Sequence, residues 1–225
     1  MFRLGMGISI AICIVCLCGC GGGSGSDTSD TVAIQQFTIF HHPGEGRTKF
    51  FPKTATIPAG LNSGIMWVNQ SPERHQIVSG ILTPQGNSGI IHLITINLGN
   101  FTPDELNVNA GDTIQFSNLS GRTFTMQIAN DNGAVVSTLI FNIGQLRTVV
   151  FPGPGVWIVQ DPDSQLIATV TLYGHPVPDG QFMSQVMLNG GVFQKAFPAP
   201  GTFPYYDSNP DDPTHVYATG TIVVQ

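Results

Sequence analysis

The chain has 225 residues, of which 41% are hydrophobic and only 10% are charged, and its 14 acidic residues outnumber its 8 basic ones. This length accommodates one large domain or two small ones, and the apolar content is enough for packed cores. A sparse, acidic charge balance excludes a surface that tracks nucleic-acid phosphates, so no nucleic-acid partner is expected.

The first thirty residues have the features of an exported, anchored protein. Arg3 precedes an apolar run over residues 4–17, which is shorter than the ~20 residues of a membrane-spanning helix and typical of a signal peptide. Residues 17–20, Leu-Cys-Gly-Cys, resemble the lipobox of bacterial lipoproteins, whose last cysteine receives the lipid. We therefore predict a signal peptide over residues 1–19, lipidation of Cys20 and a flexible Gly/Ser linker over residues 20–30.

Such an anchor predicts a location in the bacterial cell envelope, on the periplasmic side or at the outer-membrane surface, with the membrane as a partner. All four cysteines lie within residues 13–20. The rest of the chain therefore has no thiol for a disulfide, a zinc or iron–sulfur site, or a nucleophile.

From residue 31 onward the composition predicts strands. The chain has 27 glycines and 16 prolines, and between them stand short runs rich in Phe, Val, Ile and Thr. No apolar 3.6-residue period lasts beyond two turns, so the predicted fold class is all-β. The first strands are expected over residues 32–40, 49–57 and 64–69.

An internal repeat determines the predicted architecture. A Phe-x-Pro pattern followed by Ala-Gly at residues 50–60 recurs at residues 101–111, and residues 151–161 parallel residues 197–207 at a constant offset of 46. Both first halves precede both second halves, which is not the order of a tandem duplication. We therefore predict that one copy is nested within the other.

The predicted boundaries follow from this nesting. Residues 31–87 and 174–225 form an outer domain, and residues 88–173 form a domain inserted into one of its loops. Insertion into a surface loop is well tolerated when the ends of the inserted domain lie close together, which is common in sandwich domains.

The segments 67–80 and 197–207 together resemble the two halves of a cupredoxin copper site. In that family a Trp-x-Asn strand leads to a first His ligand, and a Pro-Gly-Thr-Tyr-x-Tyr-Tyr segment leads to a Cys ligand. The resemblance implies two cupredoxin-like Greek-key β-sandwiches, one inserted into a loop of the other. It also implies His75 as the first ligand, with Asp207 standing where the Cys ligand should be and His215 as the nearest following imidazole.

Without a thiolate at this position, blue-copper electron transfer is not expected. Two alternatives stay open. His75, Asp207 and His215 supply two imidazoles and a carboxylate, a set that suits Cu(II) or Zn(II). The other alternative is a sandwich without a metal, favoured by Asp161, which matches Asp207 in the inner copy where Phe124 stands near the place of the first His. An Asp without other ligands predicts a turn role, accepting backbone N–H bonds.

No hydrolase, metalloprotease or phosphate-loop motif occurs in the sequence, and an enzyme is not expected. The favoured hypothesis is a membrane-anchored binding or interaction module with an unidentified protein partner and no cofactor. The alternative is a protein that binds copper for storage or delivery through His75 and His215.

Overall fold

The computed structural model of the protein describes residues 33–42, 47–86, 88–214 and 216–225. These residues form strands, and none of them belongs to a helix long and apolar enough to cross a membrane. The predicted all-β class is confirmed. In chain order the strands are β1 (Ala33–His42), β2 (Arg47–Phe51), β3 (Thr54–Ile57), β4 (Gly60–Asn69), β5 (Ile77–Thr83), β6 (Ile91–Ile96), β7 (Phe101–Thr102), β8 (Glu105–Asn109), β9 (Thr113–Asn118), β10 (Phe124–Asn130), β11 (Val135–Phe141), β12 (Leu146–Val149), β13 (Gly155–Gln160), β14 (Ile167–Tyr173), β15 (His175–Met183), β16 (Val192–Phe197), β17 (Gly201–Asp207) and β18 (Thr219–Val224).

The strands form four sheets. Two of the sheets contain only strands from β1–β5 and β15–β18, and the other two contain only strands from β6–β14. The sheets β16-β4-β1-β2 and β15-β5-β17-β18-β3 form what we call the outer sandwich. The sheets β12-β9-β6-β7 and β11-β10-β13-β14-β8 form what we call the inner sandwich.

The two sandwiches have the same strand order. Replacing β1–β5 by β6–β10, and β15–β18 by β11–β14, converts the sheets of the outer sandwich into those of the inner one. The parallel pairs also correspond, because β1 pairs with β4 as β6 pairs with β9, and β18 pairs with β3 as β14 pairs with β8. The repeat in the sequence therefore coincides with a repeat in topology.

The chain leaves the outer sandwich and returns to it at neighbouring positions. Thr83 at the end of β5 pairs with His175 at the start of β15, so residues 84–174 lie between two antiparallel neighbours. In the inner sandwich the corresponding strands β10 and β11 are joined by a tight turn, in which the N–H of Asn130 donates to the carbonyl oxygen of Ala134 at 3.0 Å.

Each sandwich has its own apolar core, built by strands whose residues alternate between buried and partly exposed. Trp67 is fully buried at the centre of the outer core, with the rings of Phe193 and Tyr205 both 5.4 Å from its own. The inner core contains two edge-on ring pairs, Phe101–Phe124 and Phe116–Phe141.

One predicted strand is divided in the structure. The sequence predicted a single strand over residues 49–57, but β2 ends at Phe51 and β3 begins at Thr54 in a different sheet. Pro52 lies between them and has no N–H to continue a ladder, so the chain crosses from one layer to the other there.

Several predictions concern residues outside the described part of the chain: the signal peptide over residues 1–19, the lipidated Cys20, the linker over residues 20–30, and His215. These stay predictions, as does the division of the chain into an outer domain and an inserted domain.

Candidate functional site

The side chain of Asn69, which is fully buried, holds the segment that follows β4. Its Nδ2 donates to the carbonyl oxygens of Glu73 and Met187, both at 2.9 Å. Its Oδ1 accepts from the backbone N–H of Ser71 at 2.8 Å. These bonds satisfy backbone groups that the loop would otherwise bury without partners, and they define the path of the chain towards His75.

Two of the predicted metal ligands, His75 and Asp207, are brought into contact. Asp207 ends β17 opposite Ile77 on β5, and His75 lies just before β5. Nδ1 of His75 lies 2.6 Å from Oδ2 of Asp207, and the two side chains are 0% and 4% exposed. When the carboxylate is ionised it can only accept, and Nδ1 then carries the proton of this hydrogen bond.

Burial alters the acid–base balance of this pair. It raises the pKa of Asp207, because removal from water disfavours the charged carboxylate. The hydrogen bonds from His75 and from the backbone N–H of Gln76, the latter at 3.3 Å, oppose this shift without cancelling it. The loss of either partner would leave the other buried alone.

The second ring nitrogen of His75, Nε2, is buried and has no hydrogen-bond partner among the described residues. Since Nδ1 is engaged with Asp207, Nε2 is the ring nitrogen that remains for another partner. It is therefore the atom through which His75 would bind a ligand.

The donors that the structure describes do not fit the copper centre of the family that the sequence resembles. A metal that binds a nitrogen and an oxygen at about 2 Å each holds those two donors roughly 3 Å apart. Nδ1 of His75 and Oδ2 of Asp207 lie closer than this, at 2.6 Å with a proton between them. No group of three His, Cys, Asp or Glu side chains able to hold a metal occurs within the described residues. His215 lies outside them, so the three-ligand site stays a prediction.

The inner sandwich builds the same loop with Asn118. Its Nδ2 donates to the carbonyl oxygens of Arg122 at 2.8 Å and Phe141 at 3.1 Å. Its Oδ1 accepts from the N–H of Ser120 at 3.0 Å. The match of Asn69 with Asn118 in the sequence thus reflects a shared structural role.

Asp161, the counterpart of Asp207, has other partners. Nη2 of Arg122 lies 2.5 Å from its Oδ2, the hydroxyl of Ser164 donates to the same oxygen, and the N–H of Asp163 donates to Oδ1 at 3.2 Å. Burial by itself raises the pKa of Asp161, but the bonds from Ser164 and Arg122 outweigh it and hold the pKa below the usual value. The predicted turn role of Asp161 is confirmed by its bond from Asp163.

The inner sandwich has a hydrocarbon ring in the place of the imidazole. Phe124 is fully buried at the start of β10, with its ring edge-on to Phe101 at 5.6 Å between centroids. The guanidinium carbon of Arg122 lies 5.4 Å from the centre of the Phe124 ring. Arg122 therefore contacts both the carboxylate and the aromatic ring.

Sequence reasoning missed the ion pair between Arg122 and Asp161. The sequence did contain a signal for it. Arg122 matches Glu73 of the outer copy at the offset of 49 residues that also relates Asn118 to Asn69, so the charge at this position is reversed. It also missed the hydrogen bonding of the two asparagines, although their match was visible. A pattern of matched residues does not show which backbone groups their side chains reach.

No protein-family model and no curated protein matches the chain. Among solved structures it is similar to a reduced amicyanin variant, with 14% identity over 43% of this chain and 98% of that one and a TM-score of 0.33. It is also similar to native pseudoazurin from Hyphomicrobium denitrificans (14%, 37% and 75%, TM-score 0.30). A third similar structure is dithionite-reduced auracyanin from Roseiflexus castenholzii (16%, 36% and 95%, TM-score 0.30). The all-β sandwich fold itself rests on the strand pairings of this chain.

Proposed function

We propose that this protein is a lipid-anchored, cupredoxin-like interaction module of the bacterial cell envelope that does not transfer electrons through blue copper. The observation that carries the proposal is the buried hydrogen bond between His75 and Asp207. This hydrogen bond engages Nδ1 of His75 and Oδ2 of Asp207, so neither atom is free to bind a metal. No cysteine follows residue 20 that could supply the thiolate of a blue-copper site.

The proposal includes the inserted domain. It is supported by the shared strand order of the two sandwiches and by the pairing of Thr83 with His175 across the point of departure and return. Each sandwich has a tryptophan, Trp67 in the outer core and Trp157 in the inner one. Fluorescence of chains that retain only one of the two would report whether the sandwiches unfold separately.

The anchor, the location and the absence of enzymatic activity are part of the same proposal. The support for the anchor is the lipobox-like segment that ends at Cys20 and the Gly/Ser linker that follows it. The low, acidic charge of the chain argues against a nucleic-acid partner.

One observation favours the alternative function, copper binding for storage or delivery. Nε2 of His75 is buried without a partner among the described residues, so it is a donor available to a soft or borderline metal. In this alternative His215 supplies the second imidazole.

A Cu(II) titration of the full chain in detergent, followed by calorimetry and electron paramagnetic resonance, separates the two functions. The variants are His75→Gln, His215→Gln and the control His175→Gln, which changes an exposed histidine. The proposal predicts the same copper response from all four proteins, because neither His75 nor His215 then belongs to a copper site. Stoichiometric binding lost in both His75→Gln and His215→Gln but kept in His175→Gln would establish the copper alternative.

A further inference from the structure

The strand β11 lies at an edge of the inner sandwich and, within the described residues, pairs only with β10. The N–H and C=O groups on its other side point away from that sheet and can accept a further strand. Side chains on its outer face are apolar or neutral: Val136 is 47% exposed, Ile140 is 61% exposed, and Thr138 between them is exposed as well.

The edge strands of the four sheets show how unusual β11 is. Proteins protect such edges with charges, with proline, or by keeping the strand short. Five of the eight edge strands in the described part of the chain contain a charged residue: β2, β8, β12, β15 and β16. Of the other three, β3 has four residues and β7 has two, whereas β11 has seven and contains neither a charge nor a proline.

The topological counterpart of β11 in the outer sandwich makes the contrast direct. This strand, β15, occupies the same edge position but contains Pro176, Pro178 and Asp179. Its pairing with β5 is also interrupted between Pro178 and Met183. The outer sandwich therefore protects this edge with a charge, with prolines and with an interrupted pairing, whereas β11 has no charge and no proline and pairs regularly with β10 over residues 137–141.

Three more apolar side chains are exposed in the segment that follows β11. Ile143, Leu146 and Val150 are 63%, 56% and 85% exposed, on the connection to β12, in β12 and just after it. Between residues 135 and 150 the only ionisable side chain is Arg147. Its guanidinium carbon lies 5.9 Å from the centre of the Phe141 ring. Exposed apolar side chains of this kind are typical of an interaction site when they form a patch.

We propose that β11 pairs antiparallel with β11 of a second copy of this chain, which joins the two five-stranded sheets into one continuous sheet. A two-fold dimer brings the same surface of both copies together. Because β11 has no charged side chain, two copies of this strand do not repel each other electrostatically. The register shift between Ile128 and Ala129 on β10 leaves residues 137–141 as the regular length available for pairing. With the two-fold axis at residue 138, Thr138 faces Thr138 of the other copy, a favourable cross-strand pair. With the axis at residue 139, Thr138 faces Ile140, so two uncharged β-branched side chains meet.

The proposed lipid anchor adds a reason why the occupant is a second copy. Anchored chains share one membrane surface, so their effective concentration towards one another is raised. The inference deepens the proposed interaction role and rests on it. Dimer formation is measured without copper, whereas the metal-free site is tested by copper titration. One of the two proposals can therefore be contradicted while the other stands.

Cysteine cross-linking of the full chain tests the contact directly. Thr138→Cys, Leu139→Cys and Ile140→Cys are expressed singly and in pairs, oxidised mildly, and compared with Gln181→Cys, an exposed position on β15, and with the unchanged chain. A disulfide needs Cα atoms within about 7 Å, so antiparallel pairing predicts strong dimer formation at one position, or between two specific positions, and weaker reaction on either side. Equal cross-linking at all positions, including Gln181→Cys and the unchanged chain, overturns the proposal.

Charge substitution supplies an independent test. Thr138→Lys and Thr138→Glu each place like charges near the two-fold axis, so each alone is expected to be monomeric by light scattering in detergent, while an equal mixture of the two dimerises. Gln181→Lys should leave the dimer unchanged. Because residue 138 is exposed, the unfolding transition should not move; a variant that unfolds early is judged by the cross-linking result instead. A monomeric unchanged chain at the highest soluble concentration overturns the proposal.

Discussion

The two sandwiches place a carboxylate at the same point of the same fold but give it different partners. In the outer sandwich Asp207 and His75 are sealed from water, and burial raises the pKa of the carboxyl group. In the inner sandwich Asp161 is equally buried, but its partner Arg122 is 37% exposed, and the pKa of the carboxyl group is lowered. The difference lies in the partner, because the asparagine that shapes each loop makes the same kinds of bond in both.

This comparison teaches that the loop frame and the chemistry it presents are separable. The loop conformation depends on Asn69 and Asn118, which hydrogen-bond backbone groups and have no hydrogen bond to Asp207 or Asp161 among the described residues. The partner of each carboxylate depends on two further positions of the loop. These positions hold Glu73 and His75 in the outer sandwich, and Arg122 and Phe124 in the inner one. Three substitution sets test this separation and a fourth tests the contact between the sandwiches, from the largest expected effect to the smallest.

Replacing His75 by the phenylalanine of the inner copy should have the largest effect. His75→Phe leaves Asp207 buried without its partner, which is expected to lower the free energy of unfolding by about 3–5 kcal/mol. Urea unfolding followed by Trp67 fluorescence measures this. Adding Glu73→Arg supplies the residue found at the matching inner position and should restore part of the loss. The control His175→Phe, at an exposed site, should change little; a fully stable His75→Phe would show that Asp207 does not depend on the imidazole.

Removing the shared asparagines should affect the two sandwiches alike. Asn69→Ala and Asn118→Ala each remove three or more hydrogen bonds and leave buried backbone groups unpaired, at a loss of roughly 3 kcal/mol in each case. Urea unfolding with Trp67 and Trp157 as separate reporters gives both values. A large loss in one sandwich and none in the other would contradict a common frame.

The carboxyl group of Asp161 should stabilise the inner sandwich in a pH-dependent way. Its pKa in the folded state lies below the unfolded value, so its contribution is present above the unfolded pKa and disappears as the pH falls through the folded pKa. Asp161→Asn is therefore expected to reduce stability at neutral pH by about 1–3 kcal/mol, with a difference from the unchanged protein that shrinks in acid. Thermal unfolding over a pH series is the measurement, and a difference that grows in acid would reverse the assigned sign. Asp163→Asn, at an exposed neighbour, is the matched control.

The smallest effect is expected where the two sandwiches meet. Nζ of Lys53 lies 2.9 Å from Oδ1 of Asp131, in the turn between β10 and β11, and the side chains are 24% and 16% exposed. A double-mutant cycle of Lys53→Met and Asp131→Asn should give a coupling energy of about 0.5–1 kcal/mol, as for partly exposed ion pairs. The coupling should weaken in high salt. A value near zero would mean that this ion pair contributes nothing to joining the sandwiches.

Much of the fold followed from local features of the sequence. The spacing of Gly and Pro between short runs of β-forming residues was sufficient for the all-β class, because strand preference and turn chemistry act over a few residues. The matched segments around Asn69 and Asn118 reflected a real correspondence of strand order, since a repeated pattern of buried positions produces a repeated topology. The approach of His75 to Asp207 was also predictable from the motif segments that contain them.

By itself the sequence determined the all-β class and the repetition of its segments, and the family resemblance indicated the two residues that meet at the outer site. Only the tertiary structure decided how the carboxylates are paired, since Arg122 and Asp161 stand 39 positions apart and their contact depends on the register of β10 against β13. The structure alone also decided that β11 is an edge strand, because edge and centre are properties of a whole sheet. Both outcomes arise from long-range strand pairing, whose free energy comes from burial of entire faces and is not encoded in any single segment.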